Sequence, residues 1–592
     1  MRRATSPWLR LLALCACLAS LACAGCGDGG DDGPGDGEPG EPGDGTDMGV
    51  EPGALEDTHA VMLTPTEHLL RASMALRGMR PAPDELEAVA ADPDVLPSIV
   101  DYYLGTDEFG ATIREMHAEA LLIGVDPVAY PAGFPPVGVL SGMTMQELNG
   151  PLVESPLRLI EHVVMNDLPY TEIVTADYAV ADSTVATVWG MDYDDGAGGW
   201  QQTHYTDERP MAGILSDSFV FTRHSTTLSN KSRGRASVIA RALLCYDFLD
   251  RDIPIDSSID LADSDAVTQA VKDNPACVSC HQTLDPLAAF FSRYSPIYVP
   301  QDITEYPFEF YTPGYASVLS VTDENYFGIT GGDIHDLGLM MSQDPRFSEC
   351  AVRRFYGFLT QIDAGDVPIA ELSAMQDVLL DGDYDAKALV RAIVLSDGFR
   401  RSHALPEASD EQADALVGML KTRPEALARM FEDLTGFEFR TDLPYDIGGG
   451  AAVGEIDLMN DAFFGFKVLW GGTDSGSVTR PSHTMSATSA LVISSLASRA
   501  ADHVVGLDFN LPRERRYLMR DIDDDQRDEA DVRAQLSALH LRLYAVDAAT
   551  DSPEVDASYG LFAAVLQDSD NVRRAWRVTL HAMLQDIRMV YY

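Results

Sequence analysis

The sequence predicts a mainly α-helical, multi-domain protein with few short strands. The chain has 592 residues, well beyond one domain of about 150 residues. Hydrophobic residues make up 46% of it, which is enough for sizeable cores and argues against wholesale disorder. From Leu63 onward, apolar residues recur every three or four positions, the period of an amphipathic helix. Strand-like alternation occurs only in short runs between Glu172 and Thr222.

Start and stop signals place the individual helices. The segment from Pro65 to Arg77 carries apolar residues on one side and ends at Gly78. Pro83 opens the next helix, because proline is favoured in the first turn. Apolar spacing predicts further helices over 99–104, 113–122, 156–165, 233–248, 347–362, 369–380 and 386–395. Short alternating runs at 173–175, 185–189 and 219–222 allow strands or extended loops.

The charge balance excludes one class of function. Asp and Glu number 93 against 42 Lys and Arg, a formal net charge of −51. Nucleic-acid binding needs a cationic surface, so the sequence argues against it. The acidic balance fits a soluble chain and a basic partner. We see no apolar run long enough to span a membrane after Gly25, so an integral membrane protein is not expected.

The first residues are predicted to be a lipoprotein-type signal peptide over 1–25. Arg2 and Arg3 precede a short apolar run over 9–22, which small residues follow. Ala24-Gly25-Cys26 resembles a bacterial lipoprotein cleavage box, with Cys26 as the acylated residue. An ordinary secretory signal is the alternative. In either case the protein is exported, and acylation would anchor it to a membrane facing the periplasm or the cell surface.

Residues 26–57 are predicted to be an acidic Gly/Pro tether. Positions 27–53 consist almost entirely of Gly, Pro and acidic residues and contain no Lys or Arg. Such a segment cannot bury enough apolar surface to offset the entropy of ordering it. We therefore expect membrane contact only through the lipid anchor.

The motif that carries chemistry is Cys277-Val278-Ser279-Cys280-His281. C-x-x-C-H is the spacing of covalent c-type heme attachment. Two thiols one helical turn apart can add to the two vinyl groups on one edge of the porphyrin, and His281 can then reach the iron as its proximal ligand. Attachment of this kind occurs outside the cytosol, where the leader directs the chain. The sequence therefore predicts one covalent heme c.

Three other interpretations of this motif remain open. A thioredoxin-like redox pair would follow a strand, whereas 272–275 precedes the motif here. A zinc site would need a second ligand pair, and only the isolated Cys245 and Cys350 are left. A local disulfide between Cys277 and Cys280 is the third alternative.

Candidates for the second axial ligand are His335, Met340 and Met341, which follow the proximal histidine in the chain and precede the helix predicted from Phe347. Methionine ligation raises the potential relative to histidine, but a methionine near a helix start is often core filler. An open sixth position would shift the function toward peroxide or oxygen chemistry. Cys245 and Cys350 could form a disulfide in an oxidising compartment, or stay as two free buried thiols.

Residues around the motif resemble a known family. The stretches that carry the likeness are Gly213-Ile214-Leu215-Ser216, Ser232-Arg233-Gly234-Arg235, Leu243-Leu244-Cys245, Asn274-Pro275-Ala276-Cys277-Val278-Ser279-Cys280-His281 and Leu284-Asp285-Pro286-Leu287. They resemble the planctomycete-type cytochrome c proteins, large secreted bacterial proteins built from several domains of unknown function. The likeness covers about residues 63–402; Ala288 stands where the family usually has glycine. It implies heme binding and electron transfer, and it implies no substrate.

These observations predict how the rest of the chain is divided. We expect a helical N-terminal domain over 58–205, a cytochrome-c-like module with the heme motif and a helical cap over 206–402, and a helical C-terminal domain of unknown role over 406–592. The predicted function is that of an extracytoplasmic c-type cytochrome-like lipoprotein that transfers electrons to an unknown, basic redox partner. An extracytoplasmic heme enzyme and a heme-free surface scaffold or binding protein are the alternatives. No catalytic residue is predicted.

Overall fold

The structure is a computed structural model that describes residues 59–126, 133–227, 229–250, 259–260, 262–295, 303–319, 323–409, 413, 416–446 and 451–592. These residues all belong to one compact unit, Leu55–Tyr592. The predicted leader, the acylation site Cys26 and the tether over 26–57 lie outside the described residues.

The predicted mainly helical fold with few short strands is confirmed. The helices of the described residues are α1 (Pro65–Arg77), α2 (Pro83–Ala91), α3 (Leu96–Tyr103), α4 (Asp107–Leu121), α5 (Met145–Met165), α6 (Glu172–Thr175), α7 (Ser183–Trp189), α8 (Ser218–Arg223), α9 (Arg233–Leu244), α10 (Ser264–Asp273), α11 (Pro275–Ala289), α12 (Tyr315–Leu319), α13 (Ile334–Ser342), α14 (Pro345–Thr360), α15 (Ile369–Asp381), α16 (Ala386–Leu395), α17 (Asp397–Arg400), α18 (Pro424–Thr435), α19 (Lys467–Trp470), α20 (Ala487–Asp508), α21 (Glu529–Tyr544), α22 (Pro553–Ser569), α23 (Val572–Leu584) and α24 (Ile587–Val590).

Strands in this part of the chain form only two-stranded antiparallel ladders. The strands are β1 (Ala60–Met62), β2 (Ala179–Ala181), β3 (Gln201–Thr203), β4 (Asn325–Tyr326), β5 (Ile329–Thr330), β6 (Arg401–Ala404), β7 (Arg440–Leu443) and β8 (Gly454–Asp457). They pair as β1–β6, β2–β3, β4–β5 and β7–β8. The β1–β6 ladder joins residues far apart in the chain, with Ala60 opposite Ala404.

Capping residues explain where the well-predicted helices begin and end. At the start of α1, Thr64 accepts a hydrogen bond from the Glu67 backbone, and the Glu67 carboxylate accepts one from the Thr64 N–H. The helix ends at Gly78, whose φ of 65° is the left-handed conformation that glycine adopts readily. Both bounds agree with the sequence prediction, as do those of α16.

Helix α5 starts earlier than the sequence predicts. The apolar spacing predicted a helix from Pro156. In the structure the helix begins at Met145, behind a capping box formed by Thr144 and Glu147, and both Pro151 and Pro156 lie inside it. Its buried apolar side chains pack into the protein core along the whole length, which offsets the backbone hydrogen bonds that the two prolines cannot make.

The short alternating runs, which the sequence allowed to be strands or extended loops, form helices α6, α7 and α8 instead. Asp182 caps α7 by accepting from the Val185 N–H at 2.8 Å, and Asp217 caps α8 by accepting from the Phe219 N–H at 2.8 Å. These short helices are buried on several sides. A helix without a polar face shows no 3.6-residue stripe, so the sequence pattern indicated the wrong element.

Two large hydrophobic cores organise the described residues. The first core draws its buried side chains from positions 69 to 399. The second core takes Met74 from α1 and otherwise draws on positions 427 to 590. The predicted division between 205 and 206 falls inside the first core, whereas the division near 406 falls between the two cores. The limits of the domains stay predictions.

One helix in the described part of the chain, α20, is long and apolar enough to cross a membrane by length and composition alone. The sequence expectation that no such run follows Gly25 missed it. Several of its apolar side chains, including Val492, Leu496 and Val504, are buried in the second core.

Candidate heme-attachment site

The C-x-x-C-H motif occupies the first two turns of α11. Asn274 caps this helix by accepting from the Ala276 N–H at 3.0 Å, and Pro275 takes the first helical position. Cys277 and Cys280 are therefore helical residues three positions apart, which places both on one face of α11. The helix thus spaces the two thiols as attachment along one porphyrin edge requires.

Both motif cysteines are free thiols in the structure. Cys277 is partly exposed, whereas Cys280 is only 9% exposed and its Sγ lies 3.8 Å from the Phe248 carbonyl oxygen. Attachment at Cys280 would therefore take place at the inner side of the helix and attachment at Cys277 nearer its surface.

The histidine of the motif is held in one orientation by a carboxylate. His281 Nδ1 lies 2.8 Å from Asp285 Oδ1, one helical turn further along α11. Arg233 of α9 contacts the same carboxylate through Nε at 2.6 Å and Nη2 at 2.7 Å. Burial alone would raise the pKa of Asp285, but the hydrogen bonds from His281 and Arg233 outweigh it and lower the pKa to about 2.

This arrangement fixes which nitrogen of His281 is available. An ionised carboxylate only accepts hydrogen bonds. Nδ1 therefore carries a hydrogen atom and donates a hydrogen bond to Asp285. The lone pair of Nε2 is then free to bind a metal, and the carboxylate makes the imidazole a stronger donor. No side chain among the described residues hydrogen-bonds to Nε2.

An apolar surface adjoins the motif. Helix α10 packs against α11, yet none of its described side chains is buried. Val267 and Val271 share one face of α10 and are partly exposed, as is Val278 inside the motif. A flat apolar macrocycle bonded to the thiols could cover such side chains, so the residues present fit a heme at this place.

Helix α13 carries the three predicted candidates for the second axial ligand. His335 Nδ1 lies 3.1 Å from the Met211 carbonyl oxygen. Met341 is fully buried in the first core, where it packs as a core side chain. Helix α13 packs mainly against α6, whereas α11 packs mainly against α9, α10 and β4.

Met340 lies near the far end of α11. A Cβ placed on Gly331 would be 2.9 Å from both the Met340 methyl carbon and Phe290 Cζ, so these two side chains border the same small space. Phe290 lies about 13 Å beyond His281 along the helix axis, at the usual rise per residue. Whether Met340 ligates the iron stays a prediction.

A disulfide joins Cys245, at the C-terminal end of α9, to Cys350 in α14. Helix α9 packs against both α11 and α14. The disulfide therefore ties α9 to α14. Helix α9 carries Arg233, which contacts Asp285. The sequence left open whether these two cysteines pair.

Sequence reasoning assigned no role to Arg233 or Asp285. Asp285 had a detectable signal, because a residue four positions after His281 on a helix lies beside it. Arg233 belongs to a different helix, far from Asp285 in the chain, and had no such signal. In the part of the chain that the structure describes, no group of three His, Cys, Asp or Glu residues is placed to hold a metal ion.

Comparison with known proteins adds no relative. No protein-family model, curated protein or solved structure matches this chain.

Proposed function

We propose that the protein is an exported, lipid-anchored, c-type cytochrome-like protein that holds one covalent heme c and transfers electrons. Cys277 and Cys280 would form the two thioether bonds, and His281 would ligate the iron through Nε2. Two features of α11 carry the proposal. A pair of free thiols lies one turn apart, and the histidine that follows them is hydrogen-bonded through Nδ1 to Asp285. The lipid anchor rests on Cys26 and is inferred from the sequence alone.

The residues around the motif have separable roles in this proposal. A bound heme supplies one-electron redox chemistry. Asp285 orients the imidazole of His281 and raises its basicity, which favours the oxidised iron and so lowers the reduction potential. Arg233 keeps the Asp285 carboxylate ionised and in place. The partly exposed thiol of Cys277 puts one edge of the site near the surface, where an electron partner could approach.

The test is covalent heme in the mature protein. We would express the full chain in a bacterium together with a cytochrome c maturation system, and measure heme by in-gel staining and by the pyridine hemochrome spectrum. We expect one heme per wild-type chain and none in the Cys277→Ser/Cys280→Ser variant. The matched control is Cys245→Ser/Cys350→Ser, which removes two cysteines outside the motif and should keep the heme. Colourless wild-type protein, or full heme in the motif variant, would overturn the proposal.

A second candidate function is that of an extracytoplasmic heme enzyme. The surroundings of the three candidate axial ligands favour it. Met341 is core-packed, Met340 lies near Phe290, and His335 contacts a backbone carbonyl. If none of them ligates the iron, the sixth position is open to a small molecule. Carbon monoxide binding to the reduced protein within milliseconds would favour the enzyme, and slow or absent binding would favour the electron carrier.

A further inference from the structure

Two arginines lie side by side on the helices that the disulfide joins. Arg354 of α14 donates from Nη2 to the backbone carbonyl oxygen of Arg241 on α9, at 2.8 Å. Both residues are partly exposed. No carboxylate of the described residues lies within ion-pair distance of either guanidinium group. We call these two residues the arginine pair, and neither of them takes part in the proposed heme site.

The arginine pair also has unsatisfied hydrogen-bond donors. The guanidinium group of Arg241 donates no hydrogen bond to any described residue, and its Nη2 is buried. Nε of Arg354 is likewise buried and has no acceptor in the described structure. A buried charged donor without an acceptor leaves the cost of its desolvation uncompensated. A negative charge on the open side of the pair would offset part of this cost.

The nearest carboxylates do not neutralise the pair. Burial is the largest effect on the pKa of both arginines and lowers it. Asp247 acts against this effect at the arginine of α9, and Glu119 and Asp363 act against it at the arginine of α14. Two of these carboxylates already contact other cations, Glu119 with Arg423 at 2.7 Å and Asp363 with Arg480 at 3.9 Å. The four arginines of this group face three carboxylates, which leaves an excess of positive charge.

Two histidines beside the pair indicate that the local potential is positive. The pKa of His224 is lowered to about 3 by burial and by the charges of Arg223, Arg235 and the α9 arginine of the pair. The pKa of His117 is lowered to about 4 by burial and by the charge of the α14 arginine. No carboxylate is among the main causes in either case. Although the whole chain carries a net charge of −51, this surface should therefore attract small anions.

The chemistry of the pair indicates which anion it would take. A guanidinium group presents its N–H donors in a planar fork that matches the oxygens of a phosphate group. Two such groups without a counter-ion match a doubly charged anion better than a singly charged one. A membrane rich in anionic lipids would repel a chain of net charge −51, so the anion should belong to a soluble molecule.

We infer that Arg241 and Arg354 bind a doubly charged oxyanion, phosphate or the phosphate group of a small soluble molecule, at the surface between α9 and α14. Arg480 has a side chain that is 87% exposed, and its charge acts on Arg241, so it can turn toward the same anion. The inference does not depend on the heme, because no residue of the C-x-x-C-H motif belongs to this site.

The test is calorimetric titration of the full chain with inorganic phosphate at about pH 8, where phosphate is doubly charged. We expect one saturable site per chain and a thermal midpoint that rises with the phosphate concentration. Arg241→Gln should weaken phosphate binding about 10-fold or more, because a charge-assisted hydrogen bond is lost. Since this guanidinium group donates no hydrogen bond to the described residues, the variant should keep the circular dichroism and the phosphate-free thermal midpoint of the wild type.

Arg574→Gln is the matched control, because it removes one exposed arginine of α23 and should leave the affinity for phosphate unchanged. Chloride at the same concentration should not displace phosphate. Three results would overturn the inference: no saturable phosphate binding, unchanged affinity in Arg241→Gln, or equal competition by chloride, which would show that the pair recognises charge alone. Binding to vesicles of phosphatidic acid that is lost in Arg241→Gln would overturn the assignment to a soluble molecule.

Discussion

At the scale of single residues, Asp285 connects the motif to the rest of the fold. It accepts from His281 Nδ1 on its own helix and from Arg233 on α9. The first contact fixes the tautomer of the proposed iron ligand, and the second holds the carboxylate that does so. The electronic properties of the proposed heme should therefore depend on a residue that does not touch the iron.

Asp285→Asn should raise the reduction potential of the heme by some tens of millivolts. An amide accepts a weaker hydrogen bond from Nδ1 than a carboxylate does, so the imidazole donates less to the iron and the reduced state is relatively favoured. Redox titration followed at the reduced α-band measures the shift. Asp273→Asn on α10 is the control and should shift the potential less. An unchanged or lowered potential would show that Asp285 does not tune the ligand.

Asp285 should also stabilise the heme-free protein in a pH-dependent way. Its pKa is about 2 in the folded protein against an ordinary value of 3.8, so the contribution is present above pH 4 and is lost as the pH falls toward 2. Because the carboxylate is partly exposed, we expect about 1–2 kcal/mol of unfolding free energy at pH 7. Urea unfolding of wild type and Asp285→Asn from pH 7 to pH 3 checks this. A difference that does not narrow toward pH 3 would contradict it.

The sequence predicted only part of this site. The spacing of Cys277, Cys280 and His281 is local, so it can be read along one helix. Arg233 and the partners of Cys280 come from other elements, and no spacing rule brings them to the motif. The contact between His281 and Asp285 is local to one helix, whereas the contact of Arg233 that holds Asp285 depends on tertiary packing that no spacing rule predicts.

At the scale of elements, helices that combine end signals with a clear apolar stripe were predicted best. Helices α1 and α16 begin and end where the sequence placed them, whereas Pro156 lies inside α5 and not at its start. Short runs without a polar face led to wrong predictions. A helix that is buried on several sides has no contrast between an apolar and a polar face, so its sequence shows no 3.6-residue period. The helices α7 and α8, begun by Asp182 and Asp217, are the examples.

The disulfide should stabilise the fold through the loop that it closes. Cys245 and Cys350 are 105 residues apart, and the segment between them contains the whole C-x-x-C-H motif. Cys245→Ala/Cys350→Ala should lower the unfolding free energy by about 2–4 kcal/mol, because the unfolded chain regains the freedom of that loop. Guanidinium unfolding with and without reductant measures it. Reductant should not affect the double variant, and equal stability of wild type and variant would contradict the prediction.

At the scale of the whole molecule, partly buried polar contacts connect the two cores. Arg429 of α18 contacts Glu115 of α4, and it donates to the Arg77 carbonyl oxygen at 2.9 Å and to Thr112 Oγ1 at 3.3 Å. One guanidinium group thus satisfies acceptors on two helices of the N-terminal part. Its removal would leave the partly buried carboxylate of Glu115 without this contact.

Arg429→Ala should therefore destabilise the protein by about 2–3 kcal/mol, between the cost for an exposed ion pair and that for a fully buried one. Urea unfolding followed by circular dichroism measures the loss. Arg429→Met/Glu115→Leu should recover a large part of it, because neither charge then remains buried. Arg574→Ala, at an exposed arginine, is the control. A loss below about 1 kcal/mol for Arg429→Ala would show that the two cores do not depend on this contact.

The β1–β6 ladder determines how the folded body would respond to mechanical tension from its N-terminal side. A pull on the chain before His59 reaches the folded body through the short run of paired residues in β1. Just beyond them, the Leu63 N–H donates to the Arg400 carbonyl oxygen at 2.9 Å. The next element, α1, is anchored more deeply, with His68 Nε2 2.8 Å from the Val394 carbonyl oxygen and Leu69 in the first core. Stretching should therefore peel the short ladder at low force and lengthen the connection by a few residues before any helix is extracted.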